Sequence, residues 1–116
     1  MNFENLSEQE ILAVAAPMMD NLMDASTRIN HAAHVRDFTD RLKRLVTKDY
    51  LEQVCRQYQA EKGFFAERTL IAIFRRPDSA AIIWKQRFTK AKGEFVAEMV
   101  LTYQNGAYRC DHVMVF

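Results

Sequence analysis

The sequence predicts an α+β fold in which N-terminal helices pack on one face of a four-stranded antiparallel meander. Three observations predict it. Apolar residues recur with a helical period in the first half of the chain, the period changes to two after Gly63, and three turn signals divide the second half into four strands. With 116 residues, 49% of them hydrophobic, we expect a single domain over 1–116, with helices at about 7–62 and the sheet at about 64–116.

The first helix is predicted to begin at a capping box, in which Ser7 and Glu10 each satisfy a free backbone N–H of the other. Pro17 lacks a backbone donor, so it predicts either a kink or a helix that restarts there. The apolar stripe of this helix consists of Ile11, Ala15, Met18, Leu22 and Ile29, widened by Val14, Met19 and Ala25.

Two further helices are predicted before the sheet. The second follows the apolar spacing of Val35, Phe38, Leu42, Leu45 and Val46. The third is capped by Thr47 and ended by Gly63. Its inner face is predicted to carry Tyr50, Leu51, Val54 and Tyr58.

The strands are separated by turn signals at Arg76 to Ser79, at Lys92-Gly93 and at Asn105-Gly106. Asn-Gly is the strongest of the three, because both central residues of a type I′ turn need a positive φ. Taking Lys92-Gly93 and Asn105-Gly106 as two-residue loops predicts the register on both sides of the third strand.

This register places Leu101 opposite both Trp84 and Cys110, and Met99 opposite both Gln86 and His112. His112 is therefore expected to point inward. The predicted inner face of the sheet is Ile71, Ile73, Ile82, Trp84, Phe88, Met99, Leu101, Tyr103, Cys110, Met114 and Phe116.

The predicted outer face mixes charged and apolar side chains. Arg87 and Glu98 are expected there beside the apolar Ile83, Val100 and Val113. Such a face is either solvated or covered by a partner. We expect a homodimer through this outer sheet face.

The stretch from Ile29 to Val54, INHAAHVRDFTDRLKRLVTKDYLEQV, carries an Asp-Phe pair, a basic turn and a threonine-capped helix. It resembles uncharacterised bacterial families of the cystatin-like / nuclear-transport-factor-2-like superfamily, over roughly residues 18–116. Those families usually have Gly-Asp where this chain has Ile29-Asn30, and many members are exported. The resemblance implies the fold and little about activity, since this fold hosts enzymes and non-enzymes. Its matching residues are Asp37, Phe38, Leu42, Lys43, Thr47, Tyr50, Gly63 and the final strand, NGAYRCDHVMVF.

Charge and segment composition argue against several classes of partner. A net charge of +1 gives no electrostatic case for nucleic acid or an anionic membrane. The N-terminus, MNFENLSEQEIL, does not resemble a signal peptide, and no apolar run is long enough to cross a bilayer. Cys55 and Cys110 are expected as reduced thiols, so we expect a cytoplasmic location.

The three histidines are the residues to consider for chemistry. His112 could serve as a general base beside Gln86, or it could be a neutral core histidine bonded to Gln86 or a tyrosine. His31 and His34 form an H-x-x-H motif, but no third zinc ligand lies at a suitable spacing, so a solvated helix start is expected. We expect no metal and no cofactor.

These observations favour a non-catalytic domain that binds a small apolar ligand or a protein partner between the helices and the sheet. The alternative is an isomerase- or dehydratase-like enzyme with His112 as general base and Tyr103 or Tyr108 as proton donor. A third hypothesis is an interaction module that acts through the outer sheet face. The predicted ligand-binding residues are Trp84, Gln86, Met99, Tyr103, Tyr108 and His112.

Overall fold

The computed structural model describes residues 1–116. A short 3-10 helix, Phe3–Asn5, is followed by α1 (Glu8–Arg28), α2 (His31–His34), α3 (Asp40–Leu45), α4 (Lys48–Lys62), β1 (Phe65–Arg75), β2 (Ser79–Phe88), β3 (Phe95–Gln104) and β4 (Ala107–Val115). The strands form one antiparallel sheet in the order β1-β2-β3-β4, with the helices on one face. The predicted α+β class is confirmed. No helix combines the length and the apolar character needed to cross a bilayer.

Helix α1 begins as the sequence predicts. The hydroxyl of Ser7 accepts a hydrogen bond from the Glu10 N–H, and the Glu10 carboxylate accepts one from the Ser7 N–H, both at 3.0 Å. The helix continues through Pro17 and does not restart there. It ends at Ile29, which takes the left-handed conformation with φ of 52° instead of extending the helical stripe.

The second predicted helix is wrong as a continuous element. Its first part is replaced by a connector between α2 and α3, a turn over residues 35–37 followed by Phe38, which forms a parallel bridge with Cys110 of β4. The Cys110 N–H donates to the Asp37 carbonyl at 2.7 Å, and the Thr39 N–H donates to the Cys110 carbonyl at 3.0 Å. Thr39 then caps α3 by accepting from the Leu42 N–H. This connector covers part of the free edge of β4.

The core lies between α1 and the middle of the sheet. Ile11 and Met19 of α1 are buried there against Ile82, Met99 and Leu101. Each such side chain contributes roughly 1.5–3 kcal/mol when fully removed from water. The contact between α1 and the sheet is therefore the main apolar contribution to stability.

The predicted register between β2 and β3 is wrong by four residues. Trp84 lies opposite Ala97 instead of Leu101, and Leu101 lies opposite Ala80. The connection between these strands covers residues 89–94 and is longer than the two-residue loop assumed from Lys92-Gly93. Because side chains alternate with a period of two, an error of four leaves each residue on the predicted face. Trp84 and Leu101 are both buried on the inner side.

The predicted register between β3 and β4 is confirmed near the turn and is wrong further along the strands. Asn105 and Gly106 both have positive φ, 54° and 76°, and Leu101 pairs with Cys110 as predicted. A register shift follows, so that Val100, and not Met99, pairs with His112. Asp111 is thus an extra residue in β4, the pattern of a β-bulge.

The bulge reverses the faces of the end of β4. Val113 and Val115 pack against the core, whereas His112 and Met114 lie on the outer face. The predicted inward direction of His112 and Met114 is therefore wrong. Asp111 is held by the α2–α3 connector and α3, since its carboxylate accepts from the Thr39 hydroxyl at 2.8 Å and from Arg41 at 3.1 Å.

Other residues of the predicted inner face are solvent-exposed. Ile71 lies at a second register shift, between Leu70 and Ala72 of β1, and Phe116 follows the last residue of β4. Tyr103 lies near the hairpin turn and is also exposed. The inner surface of the sheet is thus well covered only in its middle.

Candidate ligand-binding site

The six residues predicted to bind a ligand do not form one site. Trp84, Gln86 and Met99 are buried in the core. The side-chain amide of Gln86 donates to the Ala66 carbonyl at 3.1 Å and to the Arg87 carbonyl at 2.8 Å, so its N–H groups are used within the sheet. None of the three borders the apolar cavity between α1, α4 and the sheet.

The two tyrosines lie together at the hairpin end of the sheet. The rings of Tyr103 and Tyr108 meet edge to face with centroids 5.1 Å apart, and Tyr108 also packs on Phe3 at 6.0 Å. Neither tyrosine borders the apolar cavity.

His112 forms a hydrogen bond with Glu98 on the outer face of the sheet. Its Nε2 lies 2.6 Å from a carboxylate oxygen of Glu98, and its side chain is 37% exposed. Because Tyr103 points to the opposite face, His112 and that tyrosine cannot act on one substrate. The alternative interpretation as a core histidine bonded to Gln86 is also wrong. Gln86 is buried on the inner side of the sheet, whereas His112 lies on the outer face and is bonded to Glu98.

The apolar cavity lies between α4, α1 and the edge of the sheet, and has a volume of about 410 Å³. Most of its lining is apolar. Helix α1 contributes Met19, Leu22 and Met23, helix α4 contributes Tyr50, Leu51 and Val54, and the strands contribute Phe65, Phe88, Val113 and Val115.

The cavity lies where α4 is attached to α1 by side-chain hydrogen bonds and contacts the strands at its C-terminal end, through Tyr58 and Lys62. Ser26 of α1 shares a hydrogen bond with the Tyr58 hydroxyl at 2.9 Å and another with the Cys55 thiol at 3.2 Å. The Gln59 amide donates to the Thr27 carbonyl at 3.2 Å. The last residue of α4 is also tied to the loop after β2, since the Lys62 carbonyl accepts from the Lys90 N–H at 3.0 Å. These bonds hold α4 in place over an incompletely filled space.

The inner face of α4 is consequently only partly buried. Leu51 is buried as the helical period predicts, but Tyr50 is 52% exposed and Val54 is 39% exposed, although both line the cavity. Their side chains face a gap that is open to solvent. An apolar molecule in this gap would remove them from water.

Aromatic residues form the end of the cavity near the C-terminus of α4. The Phe65 ring lies 5.1 Å from Tyr58 and 5.2 Å from Phe88. The Lys62 ammonium lies over Phe88 at 5.8 Å from the ring centroid. Gly63, with φ of 84°, lets the chain turn into β1 here, since a Cβ at this position would clash with the side chain of Thr89.

His34 borders the cavity from α2 and differs from the other polar groups of its lining. Its Nδ1 is buried and has no hydrogen-bond partner. Burial and, as the smaller cause, the nearby His31 together lower the pKa of His34 from 6.5 to about 4. The imidazole is therefore neutral near pH 7. His31 differs, because its Nε2 is 2.8 Å from the Val46 carbonyl oxygen.

The thiols are not activated for nucleophilic chemistry. Both are free and buried. Burial raises the pKa of Cys55, which lines the cavity, and raises that of Cys110 to about 12. No group of three or more His, Cys, Asp or Glu side chains is arranged to hold a metal ion, so His31 and His34 gain no third ligand in the fold.

The sequence reasoning missed three polar groups of the cavity. Ser26 and Cys55 fall outside the apolar stripes of their helices, and their pairing depends on how α1 crosses α4. His34 was considered only for zinc. Its immediate neighbours Ala33 and Val35 lie on other sides of the chain, so they gave no signal that His34 borders a cavity.

No family model matches this sequence, and no curated protein is significantly similar to it. Its fold is similar to that of a solved structure, Bd1075 of Bdellovibrio bacteriovorus, with a TM-score of 0.54 and 8% identity. The alignment covers 95% of this chain and 42% of that one, so the chain spans less than half the length of that protein. At this identity the likeness shows the fold alone.

Proposed function

We propose that this chain binds a small apolar ligand in the cavity between α1, α4 and the sheet, and that it does so without catalysis. The observation that carries the proposal is the cavity itself, about 410 Å³ with a mostly apolar lining and a few polar groups. Ligand sites in proteins commonly have such a volume and lining.

The lining residues support binding of a flexible apolar molecule. Met19 and Met23 present unbranched side chains that can adapt to different shapes. Val54 and Tyr50 would bury their exposed surface on a ligand. At roughly 25 cal/mol per Å² of apolar area removed from water, burial of this surface favours binding.

The polar groups of the cavity support a role without catalysis. The Cys55 thiol has a raised pKa and is bonded to Ser26, and Ser26 is bonded to Tyr58. No nucleophile there has an adjacent general base. We favour this role over the enzyme hypothesis built on His112, because His112 is bonded to Glu98 on the other side of the sheet.

We also propose that the chain belongs to the cystatin-like / nuclear-transport-factor-2-like superfamily and works in the cytoplasm. Helices followed by a four-stranded meander are compatible with that superfamily. The resemblance of the segment from Ile29 to Val54 supports it further. The two free, buried thiols support a reducing compartment.

Titration with an uncharged fluorescent probe, phenylnaphthylamine, tests the ligand proposal. We expect saturable binding of one probe per chain. Val54→Trp should fill part of the cavity and weaken binding by about tenfold or more. Leu45→Trp adds the same side chain at an exposed position of α3 outside the cavity and should leave the affinity unchanged. Equal affinities for the two variants would contradict this site.

A second candidate function is homodimerisation through the outer face of the sheet. The bulge in β4 turns Met114 outward, where it is 50% exposed. It joins Ile83 and Val100 on that face, together with Phe74, which is 58% exposed. A two-fold axis would bring two copies of this apolar row together.

Sedimentation velocity over a range of concentrations tests the dimer. Val100→Glu should shift the population to monomers, because it would bury two unpaired charges in the interface. Leu45→Glu introduces the same charge on α3 and serves as the control. A wild-type chain that stays monomeric at high concentration would exclude this candidate.

A further inference from the structure

The cavity lining includes Tyr50, Gln57, Glu61 and Lys62, which are exposed or half-buried, and its remaining polar groups fall into two classes. Ser26, Cys55 and Tyr58 are hydrogen-bonded to one another and need nothing from a ligand. His34 is the exception, since its Nδ1 is buried without a partner and its pKa carries no hydrogen-bond contribution. Buried polar atoms are normally satisfied, so an exception on the wall of a cavity calls for an explanation.

His34 lies toward one end of the cavity, near the start of α4. The bond from His31 to the Val46 carbonyl sets α2 beside the start of α4. The cavity continues along this helix from Tyr50 to Lys62, about 18 Å of helix axis at 1.5 Å per residue. The cavity is therefore elongated, with the neutral imidazole toward one end and the Lys62 ammonium at the other.

The end that holds His34 suits an uncharged hydrogen-bonding group. A carboxylate there would lose its hydration beside an imidazole that is neutral near pH 7, and Lys62 is too far away to compensate. A hydroxyl can donate to one nitrogen of a neutral imidazole or accept from the other. A 180° flip of the His34 ring exchanges the positions of Nδ1 and a ring carbon and breaks no hydrogen bond within the chain. The ring can therefore turn a nitrogen toward the hydroxyl of a ligand.

We propose that His34 binds the polar end of an uncharged, elongated ligand, a hydroxyl carried on an apolar chain that lies along α4. This proposal rests on the cavity being the ligand site, as proposed above. Edge-to-face packing on Phe38, at 5.3 Å between ring centroids, positions the imidazole for this contact.

The test is displacement of bound phenylnaphthylamine by three competitors of equal chain length, namely decane, decanol and decanoate. We expect decanol to displace the probe at a concentration about tenfold lower than decane, because only decanol gives His34 a partner. In His34→Phe the ratio between decanol and decane should fall to about one. His34→Gln, which retains a hydrogen-bonding side chain, should restore part of the preference.

His112→Phe is the matched control, since it makes the same substitution on the outer face of the sheet, outside the cavity lining. It should keep the wild-type preference for decanol. A preference that persists in His34→Phe would overturn the role of His34, and so would tighter binding of decanoate, which would assign the polar end to Lys62. Failure of the probe to bind the wild-type chain would instead overturn the cavity as a ligand site. Thermal melts of each variant verify that it is folded.

Discussion

The two long helices cover the same sheet in different ways. Helix α1 packs directly on the strands, and its residues Ile11, Ala15 and Met19 are almost completely buried. Helix α4 has an apolar stripe of similar quality, yet Tyr50 and Val54 of that stripe remain exposed above a cavity. The half of the fold under α1 is filled, and the half under α4 is not.

The difference lies in what each helix is attached to. Helix α1 buries its stripe against Ile82, Met99 and Leu101, so it is held by close packing. Helix α4 is held largely by hydrogen bonds to α1 through Ser26, and these fix its position without closing the space beneath it. Stability should therefore depend on the first region and ligand binding on the second.

Truncations in the two regions should have unequal effects. Leu101→Ala removes a fully buried side chain under α1 and should lower the free energy of unfolding by about 2–5 kcal/mol. Val54→Ala removes a partly exposed side chain of α4 and should cost less than about 1 kcal/mol. Urea denaturation followed by circular dichroism measures both. Similar losses for the two variants would show that α4 contributes to the main core.

Acid should weaken the fold through His34. Its pKa is about 4 in the folded chain and 6.5 when unperturbed, so the unfolded chain binds a proton first as the pH falls. The contribution of His34 to stability is complete above pH 6.5, is lost between pH 6.5 and about 4, and does not change further below that. The total loss should be at most about 3 kcal/mol, reduced by the partial exposure of the ring.

Unfolding free energies measured at several pH values test this expectation. His34→Phe removes the titrating group, so its stability should change less between pH 6.5 and 4 than that of the wild-type chain. Parallel curves for the two proteins would assign the acid sensitivity to other groups.

The sequence predicted the order of the elements and the packed half of the core, because these depend on local periodicity. Even the error of four residues between β2 and β3 left Trp84 and Leu101 on the correct face. The alternation of side chains between the two faces is a robust property of a strand, whereas the pairing register depends on the length of the connecting loop. The loop at 89–94 offered no turn signal as strong as Asn105-Gly106.

The candidate site could not be predicted in the same way, since it depends on contacts between distant segments. The bulge at Asp111 contains no glycine, and its stabilising partners Thr39 and Arg41 lie about seventy residues earlier in the chain. That bulge moved His112 out of the expected pocket and brought Val113 and Val115 into the cavity lining. Periodicity also gives no information on whether the stripe of α4 reaches the sheet.

The smallest expected effect compares the two histidines of α2. His31→Phe removes the bond to the Val46 carbonyl and should lower the free energy of unfolding by about 0.5–1.5 kcal/mol. His34→Phe removes a buried nitrogen without a partner and should stabilise the ligand-free chain at pH 7 by up to about 1 kcal/mol. Thermal melts of both variants measure whether each substitution raises or lowers stability. The comparison is matched, because the substitution is the same and the positions are one helical turn apart. A loss of stability in both variants would mean that His34 already has a hydrogen-bond partner, which would remove the reason for a polar group on the ligand. A loss in His31→Phe with a gain in His34→Phe would mark His34 as a residue that is kept for binding at a cost in stability.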